Sequence, residues 1–164
     1  MKKVAIIGGG ISGLYIASLL RLNSNYEVEI YEKNNSVNLE KGYGIQLSVN
    51  CTKLLNKIGF QNINLNEKFF PNRINFYSLK DKSKICDLDI SVFNDSDNRY
   101  TTLQRFTLID FLKNKLPSNI INYNKKVIEV QNVSKITRVI FDDNSSIDCD
   151  YLICETPSEE PKAT

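Results

Sequence analysis

The sequence predicts an α/β fold in which a parallel sheet is flanked by helices, and three observations predict it. An apolar run, Val4-Ala5-Ile6-Ile7, enters the turn Gly8-Gly9-Gly10-Ile11-Ser12-Gly13, and apolar residues at helical spacing follow over 14–22. A second apolar run, Val28-Glu29-Ile30-Tyr31, ends on an acid, Glu32. Strand, glycine turn, helix, strand and acid in that order make the ADP-binding half of a Rossmann-like dinucleotide fold.

Each part of that unit has a physical task. Gly8 permits the tight turn, Gly10 lets the backbone approach a pyrophosphate, and Gly13 lets the helix pack close to the strand. The N–H groups and positive dipole end of the helix then face the phosphates. Glu32 follows Gly13 by about twenty residues, where a carboxylate accepts hydrogen bonds from an adenosine ribose. A carboxylate there also repels a 2′-phosphate, although Lys33 beside it leaves that exclusion open unless it is merely solvated. A glycine-rich turn that only joined a strand to a helix would leave Glu32 unexplained.

Length and composition bound the rest. At 164 residues, with 41% hydrophobic and 24% charged residues, the chain has the make-up of a single soluble globular domain. The formal net charge of +2 is spread through the chain, so no basic stripe points to nucleic acid or a membrane surface. No apolar run approaches the roughly 20 residues that span a bilayer, and the glycine cluster breaks any signal-peptide core. The four cysteines, Cys51, Cys86, Cys149 and Cys154, show no CxxC spacing, and histidine is absent. A zinc site is therefore not expected, Ser–His and Cys–His nucleophile pairs are excluded, and a reduced, cytoplasmic protein is the expectation. No metal site is expected.

Beyond Glu32, residues 34–41 read as a polar loop and 42–48 as a short extended segment between glycines. Helical spacing of Leu54, Leu55 and Ile58 predicts a helix over 49–58, capped by Ser48 or Asn50 and ended by Gly59. Residues 73–79 and 84–90 alternate around Asp81-Lys82-Ser83 and predict an antiparallel hairpin; 93–98 read as a polar loop. A helix is predicted over 105–116, with Phe106, Ile109, Leu112 and Leu116 on one face and Pro117 as its stop. Strands at 127–130, 136–141 and 147–149 predict a three-stranded β-meander, and 151–154 a short buried strand. Residues 155–164 cannot bury themselves and read as a disordered tail.

Three segments in order, 8–33, 42–50 and 104–108, together with the meander, resemble FAD-dependent aromatic-ring monooxygenases of the para-hydroxybenzoate and salicylate hydroxylase type. The resemblance extends nearly to Cys154. It implies an FAD-binding domain over 1–70 and 99–154, and a hairpin over 71–98 that begins a substrate-domain sheet. It implies that Gly8, Gly10, Ser12 and Gly13 hold the FAD pyrophosphate and that Glu32 holds the adenosine ribose, with Lys33 beside it. Gln46 would approach the flavin end, Arg105 the ribityl–phosphate region, and the Val127 backbone the adenine. By residue type alone Gln46 reads as an exposed strand residue and Val127 as core. Arg105 in a first helical turn opposes the dipole, so a phosphate partner explains it, as does plain solvation.

The resemblance also implies NAD(P)H as reductant, oxygen as co-substrate and a small aromatic substrate; no catalytic residue is identifiable. The chain departs from the pattern at Glu155-Thr156, where the family carries an Asp-Gly pair, and at Val49, where it often carries proline. The family's later Gly-Asp motif and remaining substrate sheet are not in the sequence, so the expectation is a truncated, N-terminal part. Its complement would be a missing C-terminal half or a second chain. Two other readings stay open: a non-catalytic FAD- or NAD-binding module, and a related flavoprotein reductase or cyclase.

Overall fold

The structure, a computed structural model, describes residues 1–37 and 43–154. Part of the expected loop (38–41), Gly42 and the expected tail 155–164 lie outside the described residues. In chain order the elements begin with β1 (Lys2–Ile7), α1 (Ile11–Leu20), β2 (Tyr26–Tyr31), β3 (Gly44–Leu47), α2 (Val49–Asn56), β4 (Lys68–Phe69) and β5 (Arg73–Tyr77). They continue with β6 (Lys84–Asp89), β7 (Thr101–Gln104), α3 (Arg105–Asn114), β8 (Ile121–Asn122), β9 (Val127–Val133), β10 (Ile136–Phe141), β11 (Ser146–Cys149) and β12 (Tyr151–Cys154). The chain divides into two compact units, residues 1–40 with 112–164 and residues 41–111.

The first unit has α/β architecture. Its parallel sheet has the order β12-β1-β2-β8. Val4, Ala5, Ile6 and Ile7 are all buried, as a strand covered on both faces requires. The meander β9, β10 and β11 is antiparallel in the order β11-β10-β9, with an irregularity at Ile140/Phe141 and a turn in which Asn144 takes φ 63°. Ala5, Ile7 and Tyr31 from the sheet form one core cluster with Val139, Phe141 and Cys149 from the meander. The Tyr31 and Phe141 rings stack there, centroids 5.0 Å apart.

The second unit holds a small antiparallel sheet, β3-β7-β4, with α2 beside β3, and the separate hairpin β5–β6. Gly59 at φ 90° follows α2, as the glycine stop predicts. In the hairpin Ile74 faces Leu88 and Phe76 faces Cys86, which puts these four on one side of the ribbon. Arg73 on the opposite side pairs with Asp87 and Asp89.

Four local expectations change. β1 begins two residues before the apolar run, because Lys2 pairs with Tyr26 and its N–H donates to Asn25 O at 2.7 Å. Ser48 occupies the N-cap of α2 without a side-chain cap; its hydroxyl bonds Asn50 and Cys51 instead. On α3 it is Leu108, not Phe106, that joins Ile109, Leu112 and Leu116 in burial, so the apolar face is rotated from the one expected. Strand β12 is half-buried and not fully so: it forms the sheet margin, and Tyr151 is 51% exposed.

Candidate functional site at the glycine turn

The parallel register of β1 and β2 builds the site. Ile7 pairs with Tyr31, so the chain leaves β1 at Gly8 directly beside the residue that leaves β2, Glu32. The Gly8 N–H extends the pairing by donating to Tyr31 O at 2.9 Å, and Gly8 then turns at φ 110°, a conformation that side chains resist. Gly10 caps α1 in an extended conformation with no side chain to fill the cap, and no acidic residue stands in the first helical turn. The positive end of α1 is therefore not neutralised by its own first turn.

Glu32 is buried, 9% exposed, and its carboxylate faces the turn. Oε2 accepts the Gly9 N–H at 2.7 Å; Oε1 accepts the Asn34 N–H at 2.9 Å and the Asn34 side-chain amide at 2.7 Å. Charge-assisted bonds of this length are the strong kind and satisfy a carboxylate that burial alone would penalise. A Cβ on Gly9 would lie 3.1 Å from Oε2, so any larger residue there would push the carboxylate back by a few tenths of an ångström. The Glu32 backbone is fixed as well, its N–H donating to Asn122 O and its carbonyl accepting from the Lys125 N–H, both at 2.9 Å.

The sequence-predicted residues fall into two groups. Gly8, Gly10 and Glu32 come together, with buried Gly13 one turn further along α1; Ser12 is exposed on the first turn and Lys33 is exposed beside the acid. Val127 opens β9 and packs against the core cluster, as expected of a core strand residue. Gln46 and Arg105 belong to the second unit. Gln46 is an exposed residue of β3 whose Oε1 accepts the Tyr100 hydroxyl at 3.0 Å. Arg105 begins α3, and its N–H donates to Tyr43 O at 3.3 Å; among the described residues its guanidinium has no ion pair.

Two contributors escape sequence reasoning, Gly9 and Asn34. The unbroken Gly8-Gly9-Gly10 run was the available signal for the first. Nothing in an asparagine-rich loop distinguishes the second. A concavity of about 500 Å³, lined in part by Leu20, Tyr26, Tyr151 and Leu152, lies along β12 and does not include the glycine turn. Among the described residues no group of acids and cysteines is arranged to hold a metal. No helix among them is long and apolar enough to cross a membrane.

A family profile for the NAD(P)-binding Rossmann-like domain matches residues 6–39, the segment that holds the glycine turn and Glu32. The chain is 24% identical over 159 residues to salicylate hydroxylase of Pseudomonas putida, covering 92% of this chain and 34% of the relative. It is equally 24% identical over 157 residues to 6-hydroxynicotinate 3-monooxygenase of Pseudomonas fluorescens, covering 92% of this chain and 39% of that one. Among solved structures, Klebsiella pneumoniae HpxO in complex with FAD and uric acid superposes with a TM-score of 0.75 at 20% identity, covering 92% of this chain and 38% of HpxO. A substrate complex of salicylate hydroxylase superposes with a TM-score of 0.74 at 21% identity, over 93% of this chain and 35% of that chain. The chain is thus similar to the N-terminal part of FAD-dependent monooxygenases and has their Rossmann-like fold. It spans 34% and 39% of the length of the two curated relatives.

Proposed function

We propose that this chain, with a fold shared with FAD-dependent monooxygenases, binds FAD by its adenylate end at the glycine turn and serves as the flavin-binding part of an NAD(P)H- and oxygen-dependent monooxygenase. The observation that carries the reading is a buried carboxylate, Glu32, hydrogen-bonded to the turn that precedes α1, a helix whose N-cap residue, Gly10, brings no side chain of its own. That arrangement offers an acceptor for ribose hydroxyls beside donors for phosphate, which is the pairing an adenylate requires. Similarity to relatives named as aromatic and heteroaromatic hydroxylases supports the activity and a small aromatic substrate.

In this reading Gly8, Gly10, Ser12 and Gly13 hold the pyrophosphate, Glu32 the ribose with Lys33 at its rim, and the Val127 backbone the adenine. Arg105 takes the ribityl–phosphate region and Gln46 the flavin end. The cofactor supplies the redox and oxygen chemistry, while these residues bind it, orient it and limit water. Residues 1–70 and 99–154 act as the FAD-binding domain, and the hairpin within 71–98 as the start of a substrate sheet. Four free thiols support a reducing, cytoplasmic setting.

Purified protein tests the proposal through its visible spectrum after incubation with FAD and removal of excess. The expected result is a pair of retained flavin bands in the blue and near-ultraviolet. A folded, colourless protein that ignores FAD would refute it. A second reading, an NAD-binding module, draws on the NAD(P)-binding profile over 6–39. Competition between FAD and NAD⁺ in the same titration separates the two.

A further inference from the structure

We propose, resting on the adenylate reading above, that Asn34 is a positioning residue that leaves Oε2 of Glu32 as the ribose-facing oxygen and thereby sets the site's demand for ribose hydroxyls. A carboxylate presents about four lone-pair positions, two on each oxygen. Both positions on Oε1 are filled by Asn34, one by its backbone N–H at 2.9 Å and one by its side-chain amide at 2.7 Å. One position on Oε2 is filled by the Gly9 N–H at 2.7 Å. The remaining acceptor position is therefore on Oε2, the oxygen that lies against the glycine turn.

Gly9 alone would hold the carboxylate at a single point and leave it free to rotate about its terminal bond. The two donors from Asn34 remove that freedom. Asn34 is itself anchored, because its carbonyl accepts the Asn124 N–H at 3.1 Å, and Asn124 holds φ 55°, a conformation asparagine tolerates better than most residues. A segment distant in sequence thus fixes the loop that aims the acid.

The test rests on two ligands that differ only at the ribose, ADP and its dideoxy form, with FAD as the control for binding. Calorimetry compares FAD, ADP and 2′,3′-dideoxy-ADP on the wild-type chain, on Asn34→Ala and on Asn34→Asp. The wild type is expected to prefer ADP over the dideoxy form by about tenfold, the value of one hydrogen bond to a charged acceptor. Asn34→Ala is expected to cut that preference to about threefold or less, with dideoxy-ADP affinity unchanged. Asn34→Asp keeps the side-chain shape but cannot donate when ionised. It should lose the preference at neutral pH and recover part of it as pH falls towards 5, because the paired carboxylates raise one another's proton affinity.

Equal weakening of both nucleotides in Asn34→Ala would mark a merely structural residue and overturn the proposal, as would no weakening of either. If Asn34→Ala does not fold, the isosteric Asn34→Asp and its pH dependence decide alone. A wild-type chain that binds neither FAD nor ADP would instead remove the adenylate reading itself.

Discussion

Gly8 sits at φ 110° with its N–H committed to Tyr31 O, so its neighbours leave it one conformation. Gly8→Ala should lower the unfolding free energy by about 1–3 kcal/mol, the usual cost of holding a side-chain-bearing residue in a sparsely populated backbone region. Urea denaturation measures it; an unchanged midpoint would mean that the turn relaxes freely. Gly8, Gly10 and Gly13 were legible in the sequence because few folds need three glycines at that spacing between two apolar runs. Glu32 was legible as an acid at the right distance, but its second role, gripping Gly9, was not. That contact depends on the register of two strands, which no local pattern encodes. Asn34 was illegible for the same reason.

At the level of elements, the packing of meander on sheet runs through Tyr31 and Phe141. Burial first, and then the hydrogen bond its hydroxyl donates to Glu29, push the Tyr31 phenol well above its ordinary value. A group with a raised folded pKa stabilises fully below its unfolded pKa and loses that contribution as pH rises. Stability should therefore fall as pH climbs past about 10, the ordinary tyrosine value. Tyr31→Phe should flatten that fall, measured as unfolding midpoints between pH 8 and 11. An identical slope in the variant would assign the loss to other tyrosines or lysines. The strands of the meander and the hairpin were visible in sequence through alternation and turn chemistry. The α3 face was misjudged because Phe106 and Leu108 both satisfy helical spacing for one of two adjacent stripes. Burial of Leu108 and 36% exposure of Phe106 decide between them.

For the whole molecule, the fold class followed from one βαβ unit and one meander, and the structure has both. What sequence patterning could not supply was the joining of distant segments: β12 beside β1, β8 beside β2, and the 122–125 loop beside Glu32. These are long-range pairings, fixed by topology and not by local periodicity. Ligand binding should expose the same connectivity. FAD at a hundred times its dissociation constant should raise the unfolding free energy by about 2.7 kcal/mol. Hydrogen exchange should slow at Gly9 and Asn34 together, although they are far apart in sequence. Slowing at only one of them would break the link between turn and acid.

Strand β12 carries a further practical meaning. One side of its backbone is bonded to β1, and among the described residues no strand is paired with the other. A strand edge without a paired neighbour is a template on which an extended peptide can lie down, including another molecule of the same kind. Concentrated solutions of this polypeptide should therefore self-associate edge to edge, and a lysine or proline introduced along that rim should keep them clear.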